Sequence, residues 1–424
     1  MKKTQLTLIA ILLTCGLGQV SAQIHEDYEI LFTDDEGKQE IIEVPEGMTD
    51  YVSAVDSLLM LFHDSALTID DACESSDENP YYSDEVIAER LSRMPNSIEM
   101  PFNSVVRSFI DRYTNRMRRS VSVMLGTSNF YMPIFEQALE SYNVPLELKY
   151  LPVIESALNP KAVSRVGATG LWQFMLATGK QYGLRVNSLV DDRRDPIRAS
   201  YAAARYLRDL YRIFGDWTLA IAAYNCGPEN VNKAIRRSGG SMDYWKIYPY
   251  LPKETRGYVP AFIAANYVMT YYCEHNICPM LTELPERTDT VVVNNNLSLA
   301  SISKFCDIDI NMLRELNPQY RRDVVNGLTE PSVIRMPLSA INRFVEQEDT
   351  IITYDAAHIG RRMYAEVEES KPRSSTTHTS RYRSSYSRQS ATSGGRSSKR
   401  DHAAPAATSS RYGKSTKHSR RRRG

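Results

Sequence analysis

The sequence predicts a mainly α-helical protein with one small βααβ module and a disordered basic tail. Between residues 100 and 287, apolar side chains recur every three or four positions, which is typical of helices packed on a core. One such run is Val106, Phe109, Tyr113 and Met117. Two β-like runs, 291–293 and 332–337, enclose a stretch of helical spacing. Residues 371–424 contain 15 Lys or Arg against one Asp, and no Ile, Leu, Val, Phe, Met or Trp, so they cannot form a core.

The first 22 residues predict a secretory signal peptide. Lys2 and Lys3 precede an apolar stretch over residues 5–14, which is too short to span a bilayer, and small residues at 20–22 provide a cleavage site. The chain is therefore expected to be exported to the periplasm or cell envelope. Lipidation at Cys15 is the less favoured alternative, because Thr precedes it where a small residue is usual.

Charge is strongly segregated in this chain, although the formal net charge is zero. Residues 23–100 contain 21 acidic and 3 basic residues. This acidic region predicts a strand pair around 28–32 and 40–44 and helices near 50–63 and 83–93. In an exported protein, the basic tail would meet anionic wall polymers or an acidic membrane surface, and a solvated tail without a specific partner is the alternative. No nucleic acid is expected.

The cysteines do not predict a metal site or a disulfide-built fold. Five remain after Cys15, at positions 73, 226, 273, 278 and 306, and their spacing matches no metal motif. Cys273 and Cys278 are close enough in sequence to pair, whereas buried thiols are the alternative that the spacing favours. Neither a metal nor a cofactor is expected.

Glu155 is the candidate catalytic group. It lies between Ile154 and Leu158 in an apolar stretch that ends at Asn159-Pro160, because a residue before proline is disfavoured in the helical region. Burial of a carboxyl group disfavours its charged form and raises its pKa. A carboxylic acid that stays protonated near neutral pH can donate a proton to a departing glycosidic oxygen.

Three further blocks follow Glu155-Ser156 in order, and together they carry a family resemblance. They are Gly170-Leu171-Trp172-Gln173, Ala223-Tyr224-Asn225 and the late Tyr258. With these four blocks, residues 100–275 resemble the lytic transglycosylases of the goose-type lysozyme superfamily, and most closely the membrane-bound murein transglycosylase D type. The resemblance implies a lysozyme-like all-helical domain that acts on peptidoglycan glycan strands.

The resemblance also assigns roles to individual residues. Glu155 would be the single acid and base, first protonating the bond between N-acetylmuramic acid and N-acetylglucosamine and then deprotonating the muramic C6 hydroxyl, so that a 1,6-anhydro end forms without water. The residues expected to bind substrate are Ser164, Gln173, Tyr224, Asn225 and Tyr258. Ser156 is expected to support the backbone and Trp172 to pack in the core. Asp191, Asp192, Asp195 and Asp216 are expected to form caps and Arg pairs, and Glu254 to pair with an Arg.

Residues 288–337 resemble a LysM carbohydrate-binding module. The match includes Ile302, Phe305, Leu313, the Leu316-Asn317-Pro318 turn and the strand 332–337. The sequence has Asn295-Asn296-Leu297 where the family usually has Gly-Asp-(Ser/Thr), in a loop that contributes to its glycan groove. The substituted loop therefore predicts a retained LysM fold and leaves glycan binding open, and a small structural cap is the alternative.

The predicted organisation begins with a signal peptide (1–22) and an acidic region (23–99). A lysozyme-like domain (100–287) and a LysM-like module (288–337) follow, and the chain ends with a linker (338–370) and a disordered tail (371–424). The expected function is that of an exported peptidoglycan lytic transglycosylase. Two alternatives are a muramidase, which hydrolyses the same bond with water, and a non-catalytic peptidoglycan-binding protein.

Overall fold

The computed structural model describes residues 29–33, 39–45, 48, 76, 78–282 and 284–358. The predicted signal peptide, the predicted helix near 50–63 and the basic tail lie outside the described residues. So does Cys15, the alternative lipidation site.

Helices dominate the described residues up to position 270. Their bounds are α1 (Asp84–Arg93), α2 (Ser104–Asp111), α3 (Arg118–Glu140), α4 (Leu151–Ser156), α5 (Leu176–Gln181), α6 (Pro196–Phe214), α7 (Trp217–Cys226), α8 (Pro228–Arg237), α9 (Tyr244–Ile247) and α10 (Lys253–Thr270). Short 3₁₀ turns occupy Leu146–Tyr150, Tyr248–Tyr250 and Cys273–His275, and a π-helical turn covers Arg112–Arg116. The mainly α-helical fold predicted for this region is confirmed.

Helix α10 lies at the centre of the core. From Gly257 to Met269 every one of its residues is buried, so this helix is apolar around most of its circumference. It contacts α2, α4, α7 and the second strand of the N-terminal hairpin. Tyr258, in the second turn of α10, is therefore placed by the most buried element of the domain.

The acidic N-terminal region contributes a β-hairpin to the same core. Strands β1 (Glu29–Thr33) and β2 (Gln39–Glu43) are antiparallel, which confirms the predicted pair, and α1 confirms the predicted helix near 83–93. Strand β2 lies directly on α10: a Cβ atom at Gly257 would be 2.4 Å from the Glu43 carbonyl oxygen. Glu40 also pairs with Arg256. One hydrophobic core thus runs from Ile42 to Ile277.

Two aspartates begin helices as the sequence predicts. Asp195 Oδ1 accepts hydrogen bonds from the backbone amides of Ile197 and Arg198 at the start of α6. Asp216 accepts from the amide of Leu219 at the start of α7. Each carboxylate satisfies donors that the first turn of a helix leaves without a partner.

The LysM-like module has the predicted βααβ order. Strand β3 (Thr288–Val293) pairs antiparallel with β6 (Ser332–Pro337), and helices α11 (Leu299–Cys306) and α12 (Ile310–Leu316) lie between them in sequence. A second short pair, β4 (Asn296–Ser298) with β5 (Val324–Asn326), was not predicted. These elements form a separate hydrophobic cluster.

A linker was predicted over residues 338–370, and this prediction is wrong for residues 338–358. Leu338–His358 forms helix α13, which packs against the module. The inward residues of α13 recur at helical spacing, and they are Ala340, Phe344, Ile351 and Asp355. The Asp355 carboxylate accepts a 2.7 Å hydrogen bond from the Ser298 amide. Residues 359–370 lie outside the described residues.

The buried thiols that the cysteine spacing favours are found only in part. Cys226, Cys273 and Cys306 are thiols, of which Cys306 is buried and Cys273 is exposed, whereas Cys278 is disulfide-bonded. The alternative, a pairing of Cys273 with Cys278, is not formed. In the part of the chain that the structure describes, no His, Cys, Asp or Glu group is arranged to hold a metal ion. None of the helices described has both the length and the apolar character needed to cross a bilayer.

Candidate active site

Glu155 occupies the last turn of α4. The helix ends one residue later, at Ser156, because Ala157 and Leu158 take left-handed backbone angles, with φ of +49° and +63°. Such angles are unfavourable for residues with a side chain and occur where packing imposes them. Both residues are buried, as are Val153 and Ile154 before Glu155. The rigid, apolar surroundings fix the direction of a side chain that is itself only half-buried.

A cavity of ≈ 360 Å³ contains every residue predicted for the site. Glu155 lines it together with Ser164, Gln173, Tyr224, Asn225 and Tyr258. The other lining residues were not predicted from the sequence, and they are Pro45, Val166, Ala168, Phe174, Met175, Thr178, Tyr206, Cys226, Gly227 and Glu254. The structure therefore brings the four sequence blocks together, while the role of each residue stays a prediction.

Tyr258 contacts Glu155 directly. Its hydroxyl donates a hydrogen bond to Glu155 Oε1. Burial, followed by the negative charge of Glu155, raises the pKa of Tyr258 well above its ordinary value. The phenol is therefore a permanent donor at any physiological pH, and it fixes one carboxylate oxygen of Glu155 as an acceptor.

Tyr224 supports the site through the backbone. Its hydroxyl donates to the Trp172 carbonyl oxygen at 2.8 Å, and its ring lies 5.2 Å from the ring of Tyr206. Burial, and next the charge of Glu155, raises the pKa of Tyr224 well above its ordinary value, so this phenol also stays neutral. The expectation that Tyr224 faces a sugar applies to its ring, since its hydroxyl is committed to Trp172.

Asn225 is fixed by its neighbour in α10. Its Oδ1 accepts a 2.8 Å hydrogen bond from the hydroxyl of Thr255, which is fully buried. An amide has one acceptor and two donors, so holding the oxygen directs the donors of Asn225 away from Thr255. Because Asn225 lines the cavity, its amide nitrogen is the atom suited to a hydroxyl or carbonyl of a ligand.

Residues 162–174, here called the active-site loop, carry Ser164 and Gln173. The Ser164 hydroxyl oxygen accepts from the Ala168 amide at 3.0 Å. Gln173 has a φ of +44°, and its Nε2 donates to the Gly170 carbonyl at 2.8 Å. The amide nitrogen of Gln173 thus supports the loop, and its Oε1 remains to accept a hydrogen bond from a ligand.

Two residues of the motifs have structural roles, as predicted. The Ser156 hydroxyl donates to the Leu171 carbonyl at 3.0 Å and so ties α4 to the active-site loop. Trp172 is fully buried, and its indole nitrogen donates to the Ser200 hydroxyl at 2.9 Å. Its ring packs edge-on against Phe135, which excludes a role in stacking on a sugar in this conformation.

The other nearby carboxylates have partners within the protein. Asp191 pairs with Arg193 at 2.9 Å and Asp192 with Arg185 at 2.8 Å, and neither lines the cavity. Glu254 also has a partner, and it is exposed and lines the cavity beside Glu155. The expectation that Glu254 pairs with an Arg stays a prediction, and Arg256 pairs with Glu40.

A larger cavity, of ≈ 540 Å³, lies where residues 180–190 meet the LysM-like module. It contains none of the predicted site residues. Its charged side chains include Arg185 and Glu330, which form an ion pair at 2.7 Å. The smaller cavity is therefore the candidate active site, because it combines a carboxylate with fixed neutral donors.

Two family models match this chain, one over the helical domain with the Glu155 cavity and one over the module that follows it. Residues 132–246 match the family model "Transglycosylase SLT domain", and residues 287–353 match "Lytic transglycosylase MltD, LysM-like domain". The chain thus carries an SLT transglycosylase domain followed by a LysM-like domain of the MltD type.

Curated relatives agree with these domains. The membrane-bound lytic murein transglycosylase D of Escherichia coli K12 is 29% identical over 242 residues, which cover 56% of this chain and 53% of the relative. The soluble lytic murein transglycosylase of the same organism is 35% identical over 124 residues, covering 28% of this chain and 19% of the relative. The chain therefore spans about half the length of the first relative.

Among solved structures, the 70 kDa soluble lytic transglycosylase of E. coli aligns with 39% of this chain and 30% of its own, at 24% identity and a TM-score of 0.31.

Proposed function

We propose that this chain is an exported peptidoglycan lytic transglycosylase. It cleaves the β-1,4 bond between N-acetylmuramic acid and N-acetylglucosamine without water and leaves a 1,6-anhydro muramic end. The observation that carries this proposal is the cavity in which Glu155 accepts a hydrogen bond from the neutral phenol of Tyr258, within an SLT domain.

In the first step, Glu155 acts as the general acid. Tyr258 donates to Oε1, so Oε2 is the oxygen that carries the transferable proton. That proton passes to the glycosidic oxygen as the bond to C1 breaks, and N-acetylglucosamine departs with a hydroxyl group. Positive charge develops on the muramic ring, and the substrate's own N-acetyl group can stabilise it in place of a second protein carboxylate.

In the second step, the same carboxylate acts as the base. It removes the proton from the muramic C6 hydroxyl while the C6 oxygen forms a bond to C1. The proton that Glu155 donated is thereby restored, and no water is consumed. An intramolecular hydroxyl reacts at a high effective concentration, which explains why one well-placed carboxylate suffices.

The remaining lining residues bind and orient the glycan. Gln173 Oε1 accepts from a sugar hydroxyl or acetamido N–H, and the Asn225 amide nitrogen donates to a sugar oxygen. Ser164 donates its hydroxyl hydrogen, since its oxygen already accepts from the backbone. The Tyr224 ring provides an apolar surface whose position is fixed by its hydrogen bond to Trp172.

Hydrolysis is the second candidate, because Glu254 provides another carboxylate in the same cavity. A second carboxylate could activate water in a muramidase. Digestion of purified sacculi in ¹⁸O-labelled water tests both candidates. Anhydro ends without ¹⁸O support the transglycosylase, whereas reducing ends that contain ¹⁸O support the muramidase. No cleavage by the wild-type protein would leave a non-catalytic glycan-binding protein.

We also propose an envelope location, based on the predicted signal peptide and on a curated relative described as membrane-bound. The basic tail would then contact an anionic wall polymer or membrane surface. Fractionation of cells that produce the full chain, with and without residues 371–424, tests both points. Removal of the tail should reduce retention on sacculi or acidic vesicles in a salt-dependent manner.

A further inference from the structure

A short segment, residues 185–194, joins the LysM-like module to the active-site loop, and we call it the bridging segment. On one side, the Arg321 amide donates to the Leu189 carbonyl at 2.8 Å, and the Asp191 amide donates to the Gln319 carbonyl at 2.9 Å. Leu189 and Val190 are buried in the hydrophobic cluster of the module. The module is thus bound to the bridging segment by both backbone hydrogen bonds and apolar packing.

On its other side, the bridging segment reaches the active-site loop through Arg193. The Arg193 guanidinium forms a two-point pair with Asp191, with Nε and Nη2 each 2.9 Å from a carboxylate oxygen. Its Nη1 donates to the carbonyl oxygens of Gly167 at 3.1 Å and Phe174 at 3.2 Å. The side chain of Arg193 is 9% exposed and the side chain of Asp191 is 3% exposed, so water competes little for these hydrogen bonds.

Close packing adds to this contact. A Cβ atom at Gly170 would be 1.9 Å from the Arg193 carbonyl oxygen, so the loop lies directly on the backbone of the bridging segment. A Cβ at Gly179, in α5, would be 3.3 Å from the Arg193 methylenes. The module also touches the chain just before the loop, where Lys161 pairs with Glu315.

We propose that Arg193 is a positioning residue for the active-site loop, and that the LysM-like module supports the cavity by holding Asp191. One residue makes both connections, because the main chain of Asp191 binds the module and its carboxylate binds Arg193. The module then contributes to turnover of glycans too short to reach it. The part of this inference that concerns turnover rests on the proposed function.

The first test compares Arg193→Lys with Arg118→Lys in the full-length protein. Lysine keeps the charge of Arg193 but cannot form the planar fork to Asp191 and the two loop carbonyls together. Arg118 is a matched control, because its Nη1 also donates hydrogen bonds to two backbone carbonyls, those of Thr114 and His275. Arg118 does not line the cavity. On a short soluble glycan, we expect kcat/KM to fall about 10- to 100-fold in Arg193→Lys, as for a displaced binding group. The control should change by less than about threefold.

A coupling measurement separates positioning from a general structural role. If Arg193 acts through Gln173, then Arg193→Lys should reduce kcat/KM much less in a Gln173→Ala background than in the wild-type background. Additive effects in the double variant, or equal losses in Arg193→Lys and Arg118→Lys, would overturn the positioning role.

Hydrogen exchange provides a readout that does not depend on activity. The amides of Thr169 and Phe174 each bond to the other's carbonyl inside the loop, so both should exchange faster in Arg193→Lys. They should also exchange faster in Leu189→Ala, which loosens only the side facing the module. Unchanged exchange in Leu189→Ala would refute the support from the module. If the wild-type protein cleaves no glycan, the proposed function fails, and the exchange data still decide whether Arg193 and the module hold the loop.

Discussion

Replacement of Glu155 by Gln is the most direct test of the site. The amide keeps the shape of the side chain but cannot donate an acidic proton or accept one from the C6 hydroxyl. General acid–base catalysis contributes about 10²- to 10⁴-fold to one step. Because the same carboxylate serves both steps, we expect kcat to fall by at least about 10⁴-fold.

The same substitution should leave folding almost unchanged. The introduced amide would still offer a carbonyl oxygen to the Tyr258 hydroxyl, so the hydrogen bond is kept and its weakening costs about 1 kcal/mol at most. Removing a half-buried ionisable group also removes the cost of desolvating its charged form. For a domain of this size, the melting temperature should therefore stay within about 4 °C of the wild type.

The assay is the release of 1,6-anhydromuropeptides from purified sacculi, measured beside thermal denaturation. Glu147→Gln is a matched control, because Glu147 is a buried glutamate that accepts a hydrogen bond from the amide of Ile98 and lies outside the cavity. It should retain activity within about threefold. Release by Glu155→Gln within about tenfold of the wild-type rate would refute the assignment of Glu155 as the acid and base.

Three further predictions concern Tyr258, Glu254 and the buried His275. Tyr258→Phe removes a donor to the carboxylate and should lower kcat about 10- to 100-fold, since such a bond is worth about 1.5–3 kcal/mol; unchanged kcat would exclude this role. Glu254→Gln should leave the yield of anhydro ends unchanged if one acid suffices, whereas loss of ¹⁸O-labelled reducing ends would identify a hydrolase. His275 is buried, and burial, followed by the charge of Arg90, lowers its pKa from 6.5 to about 4. As pH falls, His275 is therefore protonated in the unfolded chain before it is protonated in the folded chain. Between pH 6.5 and 4, this difference should lower the free energy of unfolding by about 1.4 kcal/mol per pH unit. His275→Asn should flatten that pH dependence in urea denaturation, and an unchanged slope would contradict it.

The helices and caps were predictable because their signals are local. Apolar spacing and the aspartates at 195 and 216 act within a few residues, and the structure confirms both. Helix α13 was missed because its inward residues, at positions 340, 344, 351 and 355, belong to no familiar motif, although they follow the helical period. That period was the signal that could have identified the helix.

The lining of the cavity was only partly predictable. The four sequence blocks contain five of the six predicted residues that the structure gathers around one cavity, and the sixth, Ser164, follows the first block. Glu254 and Pro45 enter that lining because of how α10 and the N-terminal hairpin pack, which no local pattern encodes. The direction of the Tyr224 hydroxyl, toward Trp172, likewise depends on the position of the active-site loop.

The hairpin on α10 also sets the order in which this protein can complete its fold. Glu40 and Arg256 are 216 positions apart in the chain, yet they pair beside Tyr258. Contacts over such separations form late, because a long loop must close before they contribute. The N-terminal strands therefore lack their packing surface until α10 has been synthesised and, in an exported chain, translocated. The wall of the cavity that includes Pro45 would then be among the last parts to form, so a partly translocated chain would carry Glu155 without a finished cleft.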